Sequence, residues 1–151
     1  MNETFINFLV TGLAAFCLVF YIIPYITRLL RGNVIYIEPK DLDEKIKSGE
    51  DLLMIDIRPG IDFTDMLGHI DGAVSLPYDI LKTKLMETAD QLAGFKDTPV
   101  VIIGLRDENK VFYAYKMLRD RGFSNVSILN YGLSQWMRQQ YPTVERNGSS
   151  S

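Results

Sequence analysis

The residues whose types and spacing could do chemistry fall in three places. Gly104-Leu105-Arg106-Asp107-Glu108-Asn109 stands between an apolar run at 99–103 and an amphipathic segment at 110–121. A tight turn between a strand and a helix start aims backbone N–H groups into one cradle, which stabilises an anion and lowers the pKa of a thiol placed there. The second place is Asp56 with Arg58, at the end of the apolar run 52–56, and the two read as a charge pair fixing the loop that follows. The third is Gly68-His69-Ile70-Asp71-Gly72, which holds the only histidine. A lone His suggests acid–base chemistry. Set in a glycine-bounded turn with no nucleophile beside it, it reads as structural, bonded to nearby backbone or to Asp56 or Arg58.

The elements that must position these groups follow from periodicity. Residues 34–37 read as a first strand after a short linker, and 41–46 as a helix with acidic residues at its start. The continuous apolar runs at 52–56 and 99–103 read as strands buried on both faces. Residues 60–66 read as a short helix, 73–76 as a short strand ended by Pro77, and 80–93 as a helix. Residues 110–121 read as a helix closed by Gly122, 126–129 as the last strand and 132–140 as the last helix, with Trp136 in the core. Asp107 or Asn109 is expected to cap the helix starting near Lys110. Alternating strands and helices imply a parallel sheet covered on both sides. Ligands in such folds bind beyond the carboxyl ends of the strands, which singles out the loop 104–109.

Composition narrows the partners. The net charge is −3. Only Glu3, Arg28 and Arg31 of the charged residues fall in the first 32 positions, so the remainder carries −4. That argues against a nucleic-acid partner, which calls for a basic surface. With Cys17 as the only cysteine, neither an internal disulfide nor a cysteine-rich metal site can form. No metal and no cofactor is expected.

Residues 5–23 carry no charge. As one helix, 19 residues span about 28 Å, close to bilayer hydrocarbon thickness. Tyr21 and Tyr25 stand where interfacial aromatics belong, and Arg28 and Arg31 follow. The positive-inside rule puts the N-terminus outside and the domain on the cytoplasmic side. A cleaved signal peptide needs a basic start and a shorter apolar core, and a buried core helix is rarely apolar all round. The expected organisation is a membrane anchor with its basic flank at 1–32, a domain at 33–144 and a disordered tail at 145–151. Gly12 and Ala15 allow a weak homodimer through close helix approach. Cys17 reads as inert packing.

Four pieces stand in one order. They are Asp56-Ile57-Arg58; Gly68-His69-Ile70-Asp71-Gly72-Ala73 with Leu76-Pro77; the strand–loop–helix from Val100 to Arg121 with Gly122-Phe123; and Tyr131-Gly132 with Trp136 and Pro142. Together they resemble the rhodanese-like family over about residues 34–144. The resemblance implies a five-stranded parallel sheet flanked by helices. It also implies, in competent members, a cysteine that opens the loop after the fourth strand and carries a persulfide. The matching position here is Gly104, which has no side chain to deprotonate or to hold sulfur. Asp107 and Glu108 oppose an anion in that loop, and Arg106 offsets part of their charge. A phosphatase reading of the same fold also needs the cysteine, and a later arginine for which Lys110 is a poor substitute. Two further departures are a stretch between Phe63 and Gly68 about two residues longer than usual, and Tyr131 in place of a usual glycine.

The resulting expectation is a membrane-anchored, non-catalytic rhodanese-like module that binds or regulates a protein partner at the cytoplasmic face. The alternatives are a sulfurtransferase or sulfur carrier that uses a partner's cysteine, and a structural remnant.

Overall fold

The computed structural model describes residues 2–23, 26, 32–87 and 93–145. Contacts divide the chain into two units, Met1–Val34 and Ile35–Ser151.

In the first unit, α1 spans Glu3–Cys17 and continues as a π-helical stretch over Leu18–Ile22, where the Ile23 N–H donates to the Leu18 carbonyl. The run 5–23 is therefore not one uniform α-helix. Among the described residues no helix is long and apolar enough to cross a membrane. The expected single α-helix over 5–23 thus changes its hydrogen bonding after Cys17, and i→i−5 bonding cannot be read from hydropathy. The large apolar side chains described in this unit are exposed, Phe8 to 80%. Cys17 is exposed as well. Tyr25, expected at the interface, and Arg28 and Arg31, on which the expected orientation rests, lie outside the described residues, as does 146–151 of the expected tail.

The second unit runs β1 (Tyr36–Ile37), α2 (Pro39–Ser48), β2 (Leu53–Asp56), α3 (Gly60–Phe63), β3 (Val74–Ser75), α4 (Tyr78–Glu87), a 3-10 turn (Ala93–Phe95), β4 (Val100–Ile103), α5 (Asn109–Asp120), β5 (Val126–Leu129) and α6 (Gly132–Arg138). The five strands form one sheet in the order β1-β5-β4-β2-β3, every neighbouring pair parallel. This is the expected α/β architecture. The four residues of β4 are all buried, as a central strand covered on both faces requires.

Strand alternation sends Val101 and Ile103 to one face of the sheet and Val100 and Ile102 to the other. The first face packs with Met54, Leu129, Leu42, Leu133 and Trp136 into one core cluster. On the second, α5 lies over β4 and β5 and against α4, burying Val111, Ala114 and Leu118.

Local signals end the elements. In α2, Pro39 stands at the helix start and Gly49 closes the end at φ 69°, the arrangement both residues favour. The edge strands β1 and β3 keep two residues each, shorter than the runs 34–37 and 73–76. Short edges limit unpaired backbone. Helix α3 stops at Phe63 rather than 66. Helix α4 starts at Tyr78, two residues early, because the Leu81 N–H already bonds the Pro77 carbonyl at 2.9 Å.

Candidate functional site

The carboxyl ends of β2, β4 and β5 carry the residues singled out above. Gly104 follows β4 and is buried; Leu105 and Asp107 are half-buried, and Arg106, Glu108 and Asn109 are exposed. The loop backbone is tied down from α6. Leu133 N–H donates to the Gly104 carbonyl at 2.9 Å and Ser134 N–H to that of Leu105 at 3.0 Å. Two N–H groups from the first turn of α6, which a helix leaves unsatisfied, are thus spent on loop carbonyls. Within the loop, Glu108 N–H reaches the Arg106 carbonyl at 2.9 Å.

The expected capping is not what forms. Glu108 occupies the cap position of α5 without a side-chain bond, and Asn109 is already helical. The Asp107 carboxylate instead accepts the backbone N–H of Tyr131 at 3.1 Å, joining the loop after β4 to the loop after β5. That N–H comes from a strained residue. Tyr131 sits in the left-handed region at φ 53° and ψ 18°, which costs a non-glycine residue about 1–2 kcal/mol, and the residue is 58% exposed.

Two neighbouring contacts had no signal in the sequence. Asn130 Nδ2 donates to Glu38 Oε1 at 2.7 Å across 92 positions, closing the ends of β5 and β1 together. Lys110 Nζ lies 5.9 Å from the centre of the Tyr78 ring, within cation–π range.

Asp56 and Arg58 form a pair whose side chains are 1% and 2% exposed, Nη2 to Oδ2 at 2.6 Å. Arg58 Nε also donates to both carboxylate oxygens, at 2.9 and 3.0 Å. Its Nη2 reaches on to the Gly68 carbonyl at 2.9 Å. The pair therefore holds the glycine-bounded turn as well as its own loop. His69 bonds neither of them. Its Nδ1 stands 3.0 Å from the Phe63 carbonyl, and its ring stacks on Phe63 with centroids 3.8 Å apart. Of the backbone and charge-pair partners expected for it, the structure selects backbone. Gly72, at φ 81°, makes the left-handed turn that completes the motif.

The chemistry available at this face is limited. No thiol stands in the loop, since Cys17 belongs to α1 in the first unit. Among the described residues no group of three His, Cys, Asp or Glu could hold a metal ion. What remains is a fixed backbone surface with an exposed aromatic ring and charges of both signs.

Comparison with known proteins agrees with this fold. The family profile described as Rhodanese-like domain matches residues 38–139. A sulfurtransferase of Allochromatium vinosum is 28% identical over 112 residues, covering 74% of this chain and 96% of that protein. An adenylyltransferase and sulfurtransferase of Meyerozyma guilliermondii is 31% identical over 99 residues. The match covers 64% of this chain but only 22% of that longer protein. The solution structure of a rhodanese-like domain from Anabaena superposes with a TM-score of 0.60 at 25% identity, covering 77% of this chain and 86% of that one.

Proposed function

We propose that this chain, which belongs to the rhodanese-like domain family, is a non-catalytic member that binds a protein partner through the face at the carboxyl ends of its strands. The observation that carries the reading is Gly104, buried at the end of β4 where sulfur transfer by the family's route needs a thiolate. Tyr131 supports the binding half. Backbone strain tends to persist where function uses it, and exposed tyrosines are common anchors in interfaces.

Purified protein is expected to form no thiocyanate from thiosulfate and cyanide. Turnover that a loop substitution abolishes would overturn the reading. Crosslinking in native membranes, with identification of what is attached, is expected to capture one partner through the Tyr131 face.

A second reading takes its support from the relatives named as sulfurtransferases. On that reading the domain carries sulfur with a cysteine supplied by a partner, and activity appears only in the reconstituted complex.

We also propose that the first unit attaches the domain to a membrane with the domain on the cytoplasmic side. The uncharged run 5–23 and its exposed apolar side chains support this. Recovery of the full chain in the carbonate-resistant membrane fraction is expected; full release by carbonate would count against it.

A further inference from the structure

The place of a side chain at position 104 is already filled. A Cβ built on Gly104 would stand 2.5 Å from Cγ2 of Val111 and 3.1 Å from the carbonyl oxygen of Arg106. Carbon atoms not bonded to each other do not approach within 3.0 Å, so something would have to move. Val111 is 1% exposed and belongs to the first turn of α5, its N–H bonded to the Glu108 carbonyl at 3.0 Å. A valine in a helix has one strongly preferred χ1 rotamer, so swinging its methyl aside is costly. The loop backbone has little freedom to yield either. Gly132, at φ 57°, backs so closely onto Gly104 O and the Leu105–Arg106 peptide that it has no room for a Cβ of its own. The Arg106 oxygen adds an electrostatic obstacle. A carbonyl beside the position presents its negative end where a thiolate would need a donor.

We infer that Gly104 and Val111 are a coupled pair, with Val111 as the residue that closes the loop to a thiol or a bound sulfur at position 104. The inference rests on the non-catalytic reading and deepens it: the site is not an empty cradle awaiting a cysteine but a packed surface.

A four-cornered comparison of the full chain, Gly104→Ala, Val111→Ala and the double variant tests the pairing through urea denaturation midpoints followed by Trp136 fluorescence. Each single change is expected to lower the midpoint, and Val111→Ala is expected to raise it when added to Gly104→Ala. A double variant lowered by the sum of the two single losses would overturn the coupling. If Gly104→Ala fails to fold, rescue by Val111→Ala supports the pairing and absence of rescue refutes it. In a Cys17→Ser background, the thiol of Gly104→Cys is expected to react faster with a disulfide reagent once Val111→Ala is added; equal rates would refute the closure. Thiocyanate formation by the unaltered chain would sink the non-catalytic reading while leaving the coupling intact. Additivity would do the reverse.

Discussion

Gly68 lies against Val144 so closely that a Cβ on the glycine would stand 2.6 Å from the valine carbonyl oxygen. The approach has a cause. His69 N–H donates to that same oxygen at 3.0 Å, and Val144 N–H returns a bond to the His69 carbonyl at 2.8 Å. An antiparallel bridge therefore pins the segment after α6 onto the turn that Arg58 holds from within. Trp136 secures the same segment by donating from Nε1 to the Pro142 carbonyl at 2.9 Å.

Gly68→Ala should therefore cost more than Gly72→Ala. Both glycines have positive φ, 63° and 81°, which alone penalises alanine by about 1–2 kcal/mol. At Gly72 the nearest atom to a new Cβ is the flexible end of Met54, at 3.4 Å. At Gly68 the bridge to Val144 must also open. Chemical denaturation is expected to give a larger loss for Gly68→Ala, and equal losses would show that the bridge contributes nothing.

Replacing Arg58 by methionine leaves the Asp56 carboxylate buried without its cation. Breaking one side of a buried pair typically costs about 3–5 kcal/mol, and the bond to the Gly68 carbonyl is lost with it. Arg58→Lys should rescue only partly, because an ammonium cannot span two carboxylate oxygens and a carbonyl in one plane. A thermal midpoint unchanged in Arg58→Met would contradict the clamp.

Tyr131→Gly should separate binding from stability. Removing left-handed strain offsets the extra chain entropy of glycine, so the fold is expected to gain about 0.5 kcal/mol or stay level. Recovery of the crosslinked partner should drop. A variant that binds normally would remove Tyr131 from the proposed interface.

Lys47 gives a pH signature. Its ammonium donates to Asp43 Oδ2 at 2.6 Å, and that bond, with the carboxylate's charge, holds its pKa above the ordinary 10.5. A raised folded-state pKa favours folding below the unfolded value, and the benefit fades as pH climbs through the folded one. Lys47→Met should therefore lose its difference from the unaltered protein between pH 10.5 and that higher value. Thermal midpoints measured across this window check it; a constant difference would mean the bond does not form in solution.

Much of the scaffold was legible because its causes are local. The β-rich runs 100–103 and 126–129, Gly122 after α5 and the glycine-bounded turn around His69 each state their conformation in a few adjacent residues. The absence of a thiol in the loop after β4 was equally plain. Local reasoning failed where two local solutions competed. Asp107 was a sound cap for α5, yet its carboxylate bonds Tyr131 instead. Hydropathy likewise described the run 5–23 but not the change in hydrogen bonding after Cys17.

By itself, then, the sequence determined an α/β domain of the rhodanese-like kind with glycine where a sulfur-bearing residue would stand. Only the tertiary structure decided what became of that position. Val111 lies seven residues on and Gly132 twenty-eight, and neither carries a local sign of its role. They meet Gly104 because parallel crossovers bring the starts of α5 and α6 to the end of β4, and close packing leaves a side chain at 104 no volume of its own.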